Sequence, residues 1–208
     1  MNLDSAKPLV YLITAGQLTD RNYLETFSTV IQLIKQAAKA GVQLVQLREK
    51  SLSAGKLFDL AERAVDVTIG TTTKVLVNDR LDVALAAGCA GVHLTSMSLP
   101  ASSVRERYGN EILIAASVHD IDELLLVSNH ADFAVFGPVF DTPGKRAKGI
   151  ADLRKAVDAV RPFPVLALGG LNESNLLVSL EAGVAGIAAI RLLNDPSALT
   201  RVAKLLDL

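Results

Sequence analysis

The chain has little of what several functional classes need. It contains no tryptophan, six phenylalanines, three tyrosines and one cysteine, Cys89. A lone cysteine cannot form an internal disulfide, and its Ala/Gly-rich surroundings predict a small buried residue rather than a reactive thiol. The formal net charge is −1 and no basic stripe is present. Weak charge and few aromatic residues exclude a nucleic-acid-binding surface of the usual kind.

Long apolar runs are also missing, so no segment predicts a membrane-spanning helix. Residues 1–8 are polar and lack the positive start and apolar core of a signal peptide. We therefore expect a cytoplasmic protein without nucleic-acid or membrane partners. Half of the 208 residues are apolar, which is enough for a sizeable core.

Short runs rich in β-branched residues alternate with longer segments of helical period along the whole chain. The predicted strands are residues 10–14, 42–47, 74–77, 91–94, 112–116, 133–136, 164–168 and 186–190. The predicted helices are residues 23–40, 54–69, 81–87, 101–108, 121–129, 150–160, 173–182 and 196–206. Eight unbroken strand–helix units predict an α/β fold, a single (β/α)8 TIM barrel over residues 1–208. An open doubly wound sheet is the alternative.

Polar side chains cluster where several predicted strands end. The run GVQLVQLREK, residues 41–50, finishes in Gln46, Arg48 and Lys50. Later strands end in further polar groups, which are Asn78, Asp79, His93, Ser117 and His119. Because ligand sites of parallel α/β proteins lie at the carboxyl ends of strands, these residues predict one shared site.

Two segments predict anion binding. Gly169 and Gly170 end the seventh strand before a predicted helix, so backbone N–H groups and the helix N-terminus favour a phosphate near residues 169–171. Residues 186–191 offer an equivalent turn after the eighth strand, and Arg191 there either adds a bidentate donor or only solvates a helix start. Tight-turn formation is the alternative role of the two glycines.

The longest irregular segment, residues 137–149, follows the sixth strand and contains Lys145, Arg146 and Lys148. We expect it to lie outside the core, as a mobile lid over an anionic substrate rather than a plain surface loop.

Acid–base chemistry points first to His119. Strand alternation would place it on the same face as Ser117, and imidazole titrates near neutral pH. His93 is as well explained by a structural role at the barrel rim, and His130 is expected at a helix end on the surface. Asp79 is either a metal or substrate contact or the N-cap of the helix that follows.

The motifs VQLREK, LVNDR, GVHL, SVH, GPVFDTPGK and ALGGLN occur here in the order in which the thiamine phosphate synthase/TenI superfamily has them. The chain resembles this family from residue 11 to its last strand. The resemblance implies a TIM barrel that binds a thiazole phosphate. Synthases join it to a pyrimidine pyrophosphate with Mg²⁺, whereas TenI-type tautomerases isomerise a thiazole carboxylate phosphate with a histidine and no metal.

The resemblance assigns roles to matching positions. Gln46, Arg48 and Lys50 match the motif that faces pyrimidine and pyrophosphate, and Asp79, next to the matching Asn78, matches a Mg²⁺ ligand. Further matches are Ser117 near pyrophosphate, Thr142 and Lys145 in the lid, Gly169 and Gly170 at the thiazole phosphate, and His119 at the tautomerase histidine.

Departures from the synthase pattern favour the tautomerase. Ser98 stands where synthases carry their second acidic Mg²⁺ ligand, Gly144 replaces a lid threonine, and Arg191 replaces a small residue. We therefore expect a thiazole tautomerase without a cofactor, with weak Mg²⁺ dependence and poor condensation activity. The alternatives are a Mg²⁺-dependent thiamine phosphate synthase, or a non-catalytic binder of thiamine intermediates. The oligomeric state is left open.

Overall fold

The computed structural model describes residues 7–208, in which eight strands and eight helices alternate. The strands are β1 Leu9–Ile13, β2 Leu44–Leu47, β3 Lys74–Asn78, β4 Gly91–Leu94, β5 Leu113–Val118, β6 Phe133–Phe136, β7 Val165–Leu168 and β8 Gly186–Ala189. The helices are α1 Tyr23–Lys39, α2 Ala54–Thr68, α3 Leu81–Ala86, α4 Ala101–Tyr108, α5 Ile121–Val127, α6 Ile150–Val160, α7 Leu176–Leu180 and α8 Pro196–Leu205.

The strands form a closed barrel in the order β1 to β8. The predicted (β/α)8 barrel is therefore confirmed, and the open doubly wound sheet is wrong. Closure leaves no strand edge unpaired, and the helix after each strand covers its outer face. Among residues 7–208, no helix is both long and apolar enough to cross a membrane.

Most predicted bounds shift by one or two residues, and two of the differences have a visible physical cause. β5 runs to Val118 rather than stopping at Ala116, because its pairing with β6 continues through Ser117↔Val135 and Val118↔Phe136. The helix predicted over residues 173–182 is only Leu176–Leu180. The side-chain oxygen of Asn175 accepts a hydrogen bond from the Asn172 N–H, and that of Asn172 accepts one from the Ser174 N–H. These bonds form a polar turn in place of the first helical turn.

Contacts between residues group the chain into two compact units. One comprises the residues up to Val10 together with His93–Ala189, and the other comprises Tyr11–Val92 with Ile190–Leu208. The prediction of one domain over residues 1–208 stays a prediction, and its first six residues lie outside the described part.

The first unit buries an apolar cluster between strands β5 to β7 and helices α5 and α6. Phe136, Leu153 and Val157 are among its buried members. Val139 also belongs to it and is fully buried, so the expectation that residues 137–149 lie outside the core is wrong at this position. The segment starts in the core because Val139 donates its N–H to the Leu168 carbonyl (2.8 Å), which continues the contact with β7.

The second unit packs amphipathic helices on β2 and β3. α1 buries Ile31, Ile34 and Ala38 at helical spacing, which gives one apolar face toward the strands. Cys89 is half-buried, not fully buried as expected. Burial still raises the pKa of its thiol to about 12, so the thiolate is scarce at neutral pH and the inert interpretation stands.

A carboxylate links three segments of the first unit. Asp132 Oδ2 accepts from Arg105 Nη2 and from the backbone N–H of Ile114, both at 2.7 Å. Arg105 Nε also donates to the His130 carbonyl at 2.9 Å. The helix α4, the start of β5 and the turn before β6 are thereby tied together.

We expect Asp132→Asn to lower the free energy of unfolding by roughly 1–3 kcal/mol, because a neutral amide oxygen in place of Oδ2 is a weaker acceptor and the partly buried ion pair with Arg105 is lost. Asp158→Asn is the matched control, since Asp158 pairs with Arg161 at the surface, where the side chains are 60% and 62% exposed. Such a pair contributes at most ~1 kcal/mol. Urea denaturation measures both, and equal losses would contradict the prediction.

Candidate functional site

Two cations follow β2 without a protein partner. β2 is buried along its length, after which Arg48 is half-buried and Lys50 is exposed. Within residues 7–208, neither the Arg48 guanidinium nor the Lys50 ammonium has a hydrogen bond or an ion pair. Both groups are therefore available to an anion at the end of this strand.

A chain of side-chain hydrogen bonds joins β2 to the end of β3. Gln46 Nε2 donates to Asn78 Oδ1 at 3.0 Å, and Asn78 Nδ2 donates to Asp79 Oδ2 at 2.9 Å. A carboxylate only accepts, so it fixes the direction of both amides. Gln46 Oε1 is thereby left as a buried acceptor without a partner. Buried polar atoms rarely stay unpaired, so this atom points to a donor on a ligand.

Asp79 adopts a backbone conformation that few non-glycine residues adopt. Its φ is +60°, and it lies between β3 and α3. The N-cap of α3 is Arg80, so the helix-capping interpretation of Asp79 is wrong. Left-handed non-glycine residues are concentrated at functional sites, where the surrounding structure offsets their cost.

One carboxylate is present for a Mg²⁺ ion at this strand end. The second position expected from the family is Ser98, whose Oγ accepts from the Thr95 N–H (2.6 Å) and lies 3.1 Å from Thr95 Oγ1. In the described part of the chain, no three His, Cys, Asp or Glu side chains cluster as a metal site. Since Mg²⁺ often takes only one or two protein carboxylates besides substrate phosphates, Asp79 fits an ion that arrives with pyrophosphate.

Ser117 pairs with a histidine that sequence reasoning did not select. His93, in β4, is only 2% exposed, and its Nε2 lies 2.7 Å from Ser117 Oγ. His119 follows the end of β5, so strand alternation does not extend to it and the argument that placed it beside Ser117 is wrong. The buried pairing of His93 has no sequence signal beyond its central place in an apolar strand.

His119 has a carboxylate partner of its own. Its Nδ1 lies 3.3 Å from Glu123 Oε2, which also accepts the His119 backbone N–H at 2.6 Å. Asp120, the N-cap of α5, accepts from the Glu123 N–H at 2.8 Å. In the tautomer whose Nδ1–H donates to Glu123, Nε2 is an acceptor that receives no hydrogen bond from the described part of the chain. The imidazole side chain is 43% exposed, so the ring is accessible to a ligand.

The paired glycines are required by packing. Gly169 and Gly170 have φ of +99° and +65°, and an added Cβ would lie 2.5 Å from Pro138 Cβ or 2.6 Å from Phe140 Cβ. Among the described residues, no acceptor takes the N–H of Gly170 or Leu171. These amides fit the expected anion, but α7 begins only at Leu176, so the predicted contribution of an adjoining helix N-terminus is wrong.

Arg191 is exposed in the turn after β8, which ends at Ala189. The next helix starts at Pro196, so Arg191 does not lie at a helix start. Within residues 7–208, its guanidinium has no partner, which leaves its proposed role as an anion donor untested.

Residues 137–149 form a loop with several hydrogen bonds between its own residues. Thr142 and Lys145 exchange backbone hydrogen bonds of 3.2 and 3.0 Å, which makes a tight turn at the tip. Asp141 Oδ1 accepts from the Ala147 N–H at 2.8 Å. Thr142 is half-buried and Lys145 is exposed at this tip. The function of this loop as a lid stays a prediction.

Comparison with known proteins gives consistent matches. The family profile described as thiamine monophosphate synthase matches residues 10–193. A Geobacter sulfurreducens protein whose name gives thiamine-phosphate synthase as a provisional assignment is 40% identical, over 86% of each chain. The thiamine-phosphate synthase of Archaeoglobus fulgidus is 36% identical over 88% of each chain.

A solved structure extends the likeness to three dimensions. The thiamine phosphate pyrophosphorylase from Pyrococcus furiosus superposes with a TM-score of 0.82 at 29% identity. The alignment covers 96% of this chain and 95% of that one. None of these relatives bears a tautomerase name, so they favour the synthase alternative over the expected isomerase. The family resemblance inferred from the sequence motifs is confirmed, and the chain belongs to the thiamine monophosphate synthase family.

Proposed function

We propose that this protein is a thiamine phosphate synthase, which condenses a pyrimidine pyrophosphate with a thiazole phosphate. The observation that carries the proposal is the pair of unpartnered cations, Arg48 and Lys50, beside the hydrogen-bonded chain from Gln46 to Asp79. A leaving pyrophosphate needs such cations, and the names of the relatives support the same reaction.

In this reaction the bond from the pyrimidine's exocyclic carbon to pyrophosphate breaks, and a bond from that carbon to the thiazole ring forms. The electron pair of the broken bond leaves with the pyrophosphate oxygen. Arg48 and Lys50 bind and stabilise the negative charge that develops there. Gln46 Oε1 accepts a hydrogen bond from an N–H donor on the pyrimidine, which orients the ring.

The thiazole phosphate requires a second anion contact. Gly170 and Leu171 supply unpaired backbone N–H groups for it, in a loop whose shape their packing partners fix. By the family resemblance, Ser117, Thr142 and Lys145 contact the pyrophosphate or close over it. Arg191 departs from the family pattern, and its guanidinium would add a cation to the phosphate. His93 then orients the Ser117 hydroxyl through their 2.7 Å contact.

Asp79 is the residue that would hold Mg²⁺. When bound, the ion supplies charge neutralisation of the pyrophosphate. Asn78 holds the carboxylate by donating to Oδ2, which leaves Oδ1 of Asp79 outside that bond. A cytoplasmic location accords with this biosynthetic role and is part of the proposal.

We expect purified protein to form thiamine phosphate from the two substrates and Mg²⁺, at a turnover on the order of 1 s⁻¹ or faster. Arg48→Ala should reduce kcat/KM by about 10²-fold or more, because a charge-stabilising donor is lost. Lys74→Ala is the control, since Lys74 is an exposed cation at the start of β3, at the other end of the strand from Asn78. Absence of product with the wild-type protein would overturn the proposed function.

The Ser98 departure gives a gain-of-function test. We expect Ser98→Asp to lower the Mg²⁺ concentration for half-maximal activity, because a second carboxylate strengthens oxygen ligation of the ion. An aspartate oxygen can still accept the Thr95 N–H, so the turn is retained. Ser96→Asp, at an exposed neighbouring position, is the matched control and should leave the Mg²⁺ titration unchanged. Equal effects of both substitutions would show a general charge effect instead.

A second candidate function is thiazole tautomerisation, favoured by the arrangement of His119 with Glu123. The carboxylate beside Nδ1 holds the imidazole in the tautomer whose Nε2 is a base. In this reaction Nε2 moves a proton between the ring and the exocyclic carbon, so the atoms balance without a cofactor.

If the protein is a tautomerase, His119→Ala should reduce the rate by roughly 10²–10⁴-fold, since a positioned acid–base group is lost. His130→Ala is the control, because within residues 7–208 the hydrogen bonds of His130 come from its backbone N–H and carbonyl and not from its side chain. The assay follows the thiazole carboxylate phosphate without Mg²⁺. Unchanged rates in both variants would remove this candidate, and lack of both activities would favour a non-catalytic binder.

A further inference from the structure

Glu49 is a buried carboxylate that neither activity explains. It lies between the two cations in sequence, yet it is only 3% exposed. Its Oε2 accepts the Leu18 N–H at 2.8 Å, and its Oε1 accepts the Gly16 N–H at 3.2 Å. Within residues 7–208 it forms no ion pair, so these two backbone groups are its side-chain partners. Burying a carboxyl group is costly unless its oxygens are hydrogen-bonded, and here both oxygens accept N–H groups of the loop after β1.

The segment that Glu49 holds, residues 14–18, contacts Arg48. Thr14 Oγ1 accepts the Arg48 backbone N–H at 2.8 Å. Gly16 has φ +73°, and a Cβ added there would lie 3.2 Å from the Arg48 carbonyl oxygen and 3.6 Å from Nη1. The loop after β1 is thus in close contact with the arginine on two sides, and Glu49 fixes its position.

The orientation of the Glu49 side chain also affects whether Arg48 and Lys50 form ion pairs. An exposed glutamate at position 49 would have Arg48 and Lys50 as its nearest cations along the chain, and an ion pair with either would compete with a bound anion. Because both oxygens of Glu49 accept backbone N–H groups instead, the two cations remain unpaired.

We propose that Glu49 is a positioning residue for anion binding: it holds residues 14–18 against Arg48 and keeps its own charge away from Arg48 and Lys50. The inference rests on the proposed function in that the anion is a pyrophosphate group. It assigns Glu49 no contact with substrate.

Calorimetric titration of the full chain with inorganic pyrophosphate tests this without turnover. The variants are Arg48→Ala, Glu49→Gln, the double variant, and Asp132→Asn as a matched control. Asp132 is also a carboxylate that accepts a backbone N–H, but it lies in the other unit. Glutamine retains one acceptor and presents an amide N–H₂ to the other N–H, so the loop contact is broken on one side.

We expect Glu49→Gln to weaken pyrophosphate affinity by about 10–100-fold, the range found when a group that holds a metal ligand in place is removed. Asp132→Asn should lower stability but leave the affinity unchanged. In the Arg48→Ala background, Glu49→Gln should have less than a threefold effect, because its action passes through Arg48. Gly16→Ala, which crowds Arg48 while retaining Glu49, should weaken binding as well and serves if Glu49→Gln does not fold.

Four outcomes overturn the inference, and they are distinguishable. Normal affinity in Glu49→Gln, with loss in Arg48→Ala, would contradict the role of Glu49 and leave the proposed function standing. Equal losses in Glu49→Gln and Asp132→Asn, or full additivity with Arg48→Ala, would show only a general effect on stability. Normal affinity in Arg48→Ala would overturn the anion site, and with it both proposals.

Discussion

The parallel register between β2 and β3 is the constraint on which one half of the candidate site depends. Gln46 lies opposite Leu76, so Asn78 comes within reach of its amide. A shift by one residue would turn Gln46 to the other face of the sheet and break the chain to Asp79. Since Arg48 follows on the same strand, the register also decides which carboxylate lies near the cations. The backbone pairing of β2 with β3 thereby determines which polar side chains meet at this strand end.

Strand–helix alternation and most strand positions could be predicted from the sequence because buried parallel strands are continuous apolar runs. The errors occur where tertiary pairing or side-chain hydrogen bonds decide the outcome. β5 extends over a serine because β6 continues beside it, and the turn of asparagines shortens α7. Val139 enters the core although its neighbours are loop residues, because the chain stays paired with the end of β7. None of these effects has a local periodicity.

Strand-end polar residues were predictable by type, whereas their partners were not. Four of these residues can be recognised in the sequence because they interrupt apolar runs, namely Gln46, Arg48, Asn78 and Asp79. His93 and Glu49 interrupt the same runs, but whether such a residue faces a ligand or a protein group depends on segments distant in sequence. His93 contacts Ser117 from the neighbouring strand, and Glu49 contacts a loop more than thirty residues earlier. A buried polar residue near a site is thus better evidence for a supporting contact than for a catalytic role.

Under the proposed function, the arrangement of cations and carboxylates around β2 explains why the chain suits an anion with several negative charges. Within residues 7–208, the side chains of Arg48 and Lys50 have no hydrogen bond or ion pair, while the carboxylates of Glu49 and Asp79 accept hydrogen bonds. With a serine at position 98, the protein supplies one carboxylate fewer to a cation than the synthase pattern has. Under the proposed function, a bound Mg²⁺ ion would take more of its oxygen ligands from the substrate, and its affinity would depend on the pyrophosphate bound with it. Ser98 would then affect the affinity for the metal rather than the occurrence of condensation, and Arg48 and Lys50 would provide the part of the charge stabilisation that does not depend on the ion.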